Sequence, residues 1–400
     1  MLLIRGGSVW PMDGRRLERG FVLCREGRIV EVGEGDGPAD LASAGVDRVV
    51  DAAGGIVMPG LVDAHCHLGV FADGGGVEGD DGNESSDPVT PHLRSLDAIH
   101  HEDRCFSEAL TGGVTSVMTG PGSGNVLGGQ FTFLKTAGRD VDAMTLRAPA
   151  AMKAAFGENP KKSYGVKNLA PATRMATAAL LREALFKADR YAKAVARADA
   201  GAEDKRPEFD MKLEALRPVM ALEIPLKIHA HRADDMLTAI RVCEEFGLRY
   251  TLDHATEGYR IVDALLEAMN DSSRRSRLEG VIVGPLMLDR SKPELRNSDA
   301  RNPGILAARG IPVAIMTDHP CIPIQHLLLS AAMAVREGMD EEAALRAVTI
   351  HAARVCGMQD RVGSLEPGKE ADIAIFTGHP LDLRTKVRST IVGGNVVHGS

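Results

Sequence analysis

No apolar run in this chain reaches the roughly 18–20 residues that a membrane-crossing helix needs, so no spanning segment is expected. The first residues, MLLIRGGSVWPMDG, lack a basic start, a long apolar core and a small-residue cleavage site, and no signal peptide is expected. Basic residues are not in excess. Lys+Arg number 47 against 55 Asp+Glu, a net charge of −8, which argues against nucleic acid or an anionic membrane as the main partner. Cysteines are few and scattered (Cys24, Cys66, Cys105, Cys243, Cys321 and Cys356), with no CxxC pair. Each reads as a small buried hydrophobe in a reduced, cytoplasmic compartment. Internal repeats are absent. The glycine-rich stretch GPGSGNVLGGQ (120–130) lacks the GxxxxGK[ST] pattern of a phosphate cradle.

What remains is an ordinary globular composition, 44% hydrophobic and 26% charged over 400 residues. That length predicts one large domain of roughly 250–300 residues plus a smaller one. Residues 1–59 alternate apolar and polar positions between glycine-rich turns, and GSLEPGKEADIAIFTG and VRSTIVGGNVVHG return to that texture near the C-terminus. A small β-sandwich domain built from 1–59 plus 360–400 is expected, because chain ends commonly meet in space. Between them, 60–359 alternates apolar strand-like runs with helical segments such as 233–247 and 172–200. This pattern implies an α/β fold with parallel pairing and right-handed crossovers. Seven strands are clear and GGQFTFLK (128–135) supplies an eighth, so the expectation is a (β/α)8 TIM barrel with its chemistry at the C-terminal strand ends.

Histidines and one aspartate stand at the ends of those apolar runs. His65 and His67 close IVMPGLVDAHCHL (56–68), His229 lies in PLKIHAHRADD (225–235), His254 in YTLDHAT (250–256) and Asp318 in VAIMTDHP (313–320). Imidazole nitrogen and carboxylate oxygen are the donors that divalent metals of this type prefer, and one donor per strand end is what an open catalytic site requires. His65 and His67 are two apart on a strand, so they share a face while Cys66 points the other way. His231 repeats that spacing. It reads as a second metal ligand, a substrate-orienting donor or a surface residue. Residues 72–91 read as a mobile lid or a solvated loop beside the site.

Taken together, HCH after PGLVDA, HAHRADD, DHATEG, TDHP and GSLEPGKEADIAIF resemble the amidohydrolase superfamily over nearly the whole chain, closest to the imidazolonepropionase-related metal-dependent hydrolases. The resemblance includes the Gly368–Asp372 segment of the terminal domain. The segments 87–97, 120–130 and 155–165 resemble those of one of its subgroups.

The resemblance implies a divalent metal cofactor, Zn²⁺ by preference, one or two per chain, held by His65, His67, His229, His254 and Asp318. It places Asp318 as the catalytic proton shuttle to a metal-activated water, and His254 or His231 against the developing oxyanion. Binuclear members add a bridging ligand, which here is Lys153 in carbamylated form or Glu158. His231, Arg232, Asn125 and Gln130 are candidate substrate contacts; Arg232 offers a fork of donors for a carboxylate. The implied reaction is hydrolysis of an amide or cyclic amide C–N bond in a small molecule. The alternative is deamination of a nitrogen heterocycle by a mononuclear site, but such deaminases carry glutamate three residues after the fifth-strand histidine, where this chain has Arg232. A non-catalytic scaffold is the remaining alternative. Members of the superfamily are often homo-oligomers.

Overall fold

A computed structural model describes residues 1–201 and 206–399. The N-terminal segment forms β1 (Leu2–Val9), β2 (Leu17–Arg25), β3 (Arg28–Glu34), β4 (Arg48–Asp51) and β5 (Ile56–Pro59). The barrel strands follow as β6 (Leu61–Cys66), β7 (Val114–Thr119), β8 (Leu127–Lys135), β9 (Thr145–Ala155), β10 (Leu226–Ala230), β11 (Arg249–His254), β12 (Arg277–Val283) and β13 (Val313–Ile315). The C-terminal segment gives β14 (Ile373–Phe376), β15 (Val387–Val392) and β16 (Asn395–Gly399).

Both chain ends share one hydrogen-bonded sheet in the order β16-β15-β14-β5-β1-β2-β3, with β4 on β1. It buries one apolar cluster that draws Ile4 and Val22 from the N-terminal strands and Ile373 and Ile391 from the C-terminal ones. The β2–β3 hairpin turns at Glu26 and Gly27, both in left-handed conformation (φ 51° and 77°), as a two-residue primed turn demands. β5 joins the two halves, pairing in parallel with β1 and antiparallel with β14.

The second sheet runs β13-β12-β11-β10-β9-β8-β7-β6 and is nearly closed. Beyond the short β13, Asp318 N–H donates to the His65 carbonyl (3.2 Å) and His67 N–H donates to the His319 carbonyl (2.9 Å), which stitches the last strand to the first. The expected eighth strand is present, but it does not run parallel: β8 pairs antiparallel with both β7 and β9. The reason lies in its connections. A parallel crossover needs a dozen or more residues, whereas only residues 120–126 separate β7 from β8. A hairpin is what such a link permits, so the start of β8, not its end, faces the mouth where β7 and β9 finish.

Strand alternation sorts the side chains. Met152, Ile228, Leu252 and Val281 point outward into a core shared with Leu181, Leu185, Ile240 and Leu265 of the surrounding helices. Their strand neighbours Lys153, His229 and Asp253 are therefore inward, and all three are buried. The long helix Arg174–Asp199 lies on the outside, anchored by Leu181, Leu185, Ala188 and Val195. After this helix, residues 202–205 lie outside the described residues.

Candidate metal centre

Five imidazoles and one carboxylate converge at the barrel mouth. His65, His67 and Asp318 form one group, and His229, His231 and His254 another; within each group one donor atom per residue lies within 4.8 Å of the others. Asp318 Oδ1 is 3.2 Å from His67 Nε2 and 3.4 Å from His65 Nε2. The groups abut, with His254 and His65 ring centroids 5.5 Å apart.

Each ring is oriented through its other nitrogen. His65 Nδ1 is 2.7 Å from Asp253 Oδ2, His67 Nδ1 is 2.7 Å from the Gly120 carbonyl, and His254 Nδ1 is 3.0 Å from the Gly284 carbonyl. His229 Nδ1 meets Ser123 Oγ at 2.9 Å and His231 Nδ1 meets Thr256 Oγ1 at 2.7 Å. All five Nε2 atoms are thereby turned inward, the arrangement that fixes tautomer and direction in metal-ligating histidines. His65 Nε2, His254 Nε2 and Asp318 Oδ1 are buried without a hydrogen-bond partner. An orphaned set of nitrogen and oxygen donors in a dry site is costly alone and suited to a cation.

Backbone conformation helps to aim these groups. His254, Ala255 and Asp318 take left-handed φ values of 67°, 42° and 53°. Such strain in non-glycine residues concentrates at functional sites. The turn at His254 breaks the alternation that would otherwise send its ring outward after the inward Asp253.

The electrostatics fit a metal. Burial holds the His65, His229 and His254 imidazoles below their ordinary range, and burial together with the Lys292 charge brings His231 down to about 3. Burial alone would raise Asp318, but His254, His65 and His67 override it and hold the carboxyl well below the usual range. Neutral imidazoles with free lone pairs beside an ionised carboxylate are the protonation states that coordination requires.

A layer behind the donors holds residues that the motifs did not single out. Asp253 joins His65 to Lys227, whose Nζ lies 3.2 Å from Asp253 Oδ2. Burial raises Asp253, but Lys227 and His65 outweigh it and keep it ionised. Asp63 accepts from the Thr317 backbone N–H (3.1 Å) and hydroxyl (2.5 Å) and from the His65 N–H (3.1 Å), while burial pushes it up to about 7. Thr317 is thus a structural anchor for Asp63. His319 follows Asp318 after the strand has ended; its Nδ1 accepts from the Ile324 N–H at 3.3 Å.

The candidates fare differently by position. His67, His229, His231, His254 and Asp318 line a cavity of about 420 Å³. His65 lies beneath, fully buried. Lys153 is buried inside the barrel, its Nζ without a hydrogen-bond partner and 5.5 Å from the Phe131 ring centre, and burial lowers it to about 8. Glu158 stands past the end of β9, at the start of the helix Glu158–Gly165, and is not among the residues lining the cavity; its neighbour Asn159 is.

Three proposed substrate contacts are engaged elsewhere. Arg232 pairs with Asp234 at 2.6 Å outside the lining, because two residues on it meets a carboxylate in the first helical turn. Asn125 donates to Thr90 Oγ1 at 2.9 Å and accepts from the Tyr164 hydroxyl at 2.5 Å. Gln130 sits on β8 and reaches the Pro91 carbonyl at 3.4 Å. None of the three lines the cavity.

Residues of the wall that went unremarked are Phe71, Leu288, Leu295 and Lys292. Cys321 corrects the reading of every cysteine as a buried hydrophobe: it is exposed and stands in the cavity wall. Phe71, at the edge of the 72–91 segment, and Asn83 within it bring that loop to the cavity wall. In the described residues no helix is long and apolar enough to cross a membrane.

The same architecture occurs in known proteins. A crystal structure of an amidohydrolase from Thermotoga maritima MSB8 is 39% identical and superposes with a TM-score of 0.92 over 100% of both chains. An imidazolonepropionase from Symbiobacterium thermophilum is 26% identical over 94% of this chain and 91% of its own. "Amidohydrolase tasK" of Hapsidospora irregularis is 28% identical over 95% of this chain, which spans only 41% of that relative's length. The sequence profile of the amidohydrolase family matches residues 56–398, from the strand before the first histidine pair to the last strand of the terminal sheet. The chain belongs to the amidohydrolase family.

Proposed function

We propose that this protein hydrolyses an amide or cyclic amide C–N bond of a small molecule at a divalent metal site, Zn²⁺ by preference. The observation that carries this reading is the convergence of inward-turned imidazoles on the buried, orphaned Asp318 at one mouth of the barrel. His65, His67, His229, His254 and Asp318 would hold the metal. When bound, the ion supplies Lewis acidity and lowers the pKa of water toward ~7.

The protein's own groups account for the rest. Asp318, ionised and within reach of the cavity, takes the proton of the attacking water and returns it to the departing nitrogen. His231, whose Nδ1 can accept from the Thr256 hydroxyl and leave Nε2–H free to donate, borders the place where the carbonyl oxygen gains charge and orients it. The apolar wall of Phe71, Leu288 and Leu295 keeps water from competing for the polar groups. Lys153 is the better-placed bridging candidate: neither residue borders the cavity, but the Lys153 Nζ is buried inside the barrel without a hydrogen-bond partner, whereas Glu158 stands past the end of β9.

Deamination is the lesser reading. The position three residues after His229 is Arg232, and its guanidinium is bound to Asp234 instead of presenting a carboxylate to a heterocycle. The test is to load purified protein with Zn²⁺, count metal per chain, and assay amine release from N-acyl amino acids, dipeptides and cyclic ureides. Turnover by a metal-loaded protein is expected. Stoichiometric metal with no turnover across the panel overturns the substrate assignment, and failure to retain metal overturns the site.

A further inference from the structure

Among the described residues the cavity wall contains a single Lys or Arg side chain, Lys292, on the loop after β12. Its surroundings differ from those of most basic residues here. Arg232, Arg174 and Lys227 all lie against carboxylates. Lys292 forms no ion pair among the described residues, and its Nζ donates to a neutral acceptor, Asn159 Oδ1, at 3.1 Å. The amide of Asn159 in turn reaches His229 Nε2 at 3.4 Å. One side-chain amide therefore separates an ammonium that has no ion pair from the imidazole cluster. The neighbouring wall is apolar at Leu288 and Leu295.

Building on the hydrolase reading above, we infer that Lys292, steadied by Asn159, is the side chain that recognises a carboxylate on the substrate, and that this carboxylate lies close to the scissile C–N bond. The chemistry favours this assignment. A half-buried ammonium without a counter-ion gains most from a ligand that brings one. It is placed at the wall and not among the donors, so it binds a part of the substrate that does not react. A phosphate ordinarily draws on several cations or a helix N-terminus; here one ammonium is available, and Asp289 shares the wall. The substrate class that follows is a small N-acyl amino acid or dipeptide-like anion, with its acyl carbonyl toward Asp318 and its carboxylate toward Lys292. The role that sequence gave to Arg232 thus passes to a residue on a different loop.

Binding and turnover test this separately. Calorimetry on Zn²⁺-loaded protein would compare N-acetyl amino acids with the matching N-acetyl carboxamides, which differ only in charge at that group. The wild-type protein is expected to bind the carboxylates about tenfold to a hundredfold more tightly, the range for a hydrogen bond to a charged partner. In Lys292→Met that ratio should fall close to one, and in Lys292→Arg much of it should survive. A wild-type protein that binds the acids no better than the amides overturns the inference, as does a preference that persists unchanged in Lys292→Met. A Lys292-dependent preference without hydrolysis of the same compounds would keep the inference and refute the hydrolysis of this class.

Discussion

Asp318 is the residue on which the proposed chemistry turns, and its surroundings separate two roles. Four imidazoles remain to hold a cation if its charge is removed, whereas Asp318 is the one carboxylate in the two donor groups among the described residues. Asp318→Asn should therefore lower kcat by at least about 10²-fold, the ordinary worth of a positioned proton-transfer group, while most of the metal stays bound. Parallel kinetics and elemental analysis read both quantities; undiminished turnover removes Asp318 from proton transfer. Asp253 acts one layer back. It orients His65 through a 2.7 Å contact and balances Lys227 at 3.2 Å, touching no substrate. Asp253→Asn should weaken metal affinity by about 10–100-fold, as loss of such orienting partners does. Competition with a chelating dye measures this, and unchanged affinity would show that His65 needs no such partner.

Strand order decides what a sequence can reveal about such a site. The histidines and Asp318 were legible because each ends an apolar run, and alternation fixes which side of a strand faces inward. Asp253 was not, although it precedes His254, because the His65 and Lys227 that it joins come from β6 and β10, far apart in the chain. Lys292 and Cys321 sit on loops with no periodic pattern at all. The reversal of β8 was hidden in a connection length, readable only once its neighbours were known. It has a consequence for β9: Lys153 pairs with Gly129 of β8 on one side and Lys227 of β10 on the other, so neither neighbour offers an anion. A buried lysine lowered to about 8 keeps a sizeable neutral fraction near neutral pH, the form that combines with carbon dioxide. Lys153→Ala should lose part of the bound metal, and added acetate or propionate should restore activity in part. Metal content and turnover equal to wild type would exclude Lys153 as a bridging ligand.

The barrel and the terminal sheet are held together by charge as well as by packing. Lys135, at the end of β8, places Nζ 2.8 Å from Glu370 and 3.1 Å from Asp372, on the segment leading into β14. Glu370 has a second cation in Arg361 at 2.6 Å, but Asp372 has no other ion pair among the described residues and accepts besides only the Gly393 N–H at 2.7 Å. Burial raises Asp372 above the usual carboxyl range, with Lys135 opposing that rise. In Lys135→Met the opposition is gone, and an unpaired carboxylate remains buried; the cost should be about 3–5 kcal/mol of unfolding free energy. That cost must depend on pH. A carboxyl whose folded pKa lies above its unfolded value, about 3.9 for aspartate, binds more protons when folded, so stability falls as pH rises between the two values. Removing Lys135 widens this window upward. The deficit of Lys135→Met relative to wild type should therefore be larger at pH 8 than at pH 5, because a raised carboxyl is more protonated at the lower pH and leaves less charge buried. Denaturant unfolding of both proteins at the two pH values measures it. A deficit of equal size at each would mean that the variant loses packing alone, and that Asp372 carries no uncompensated charge between the barrel and the terminal sheet.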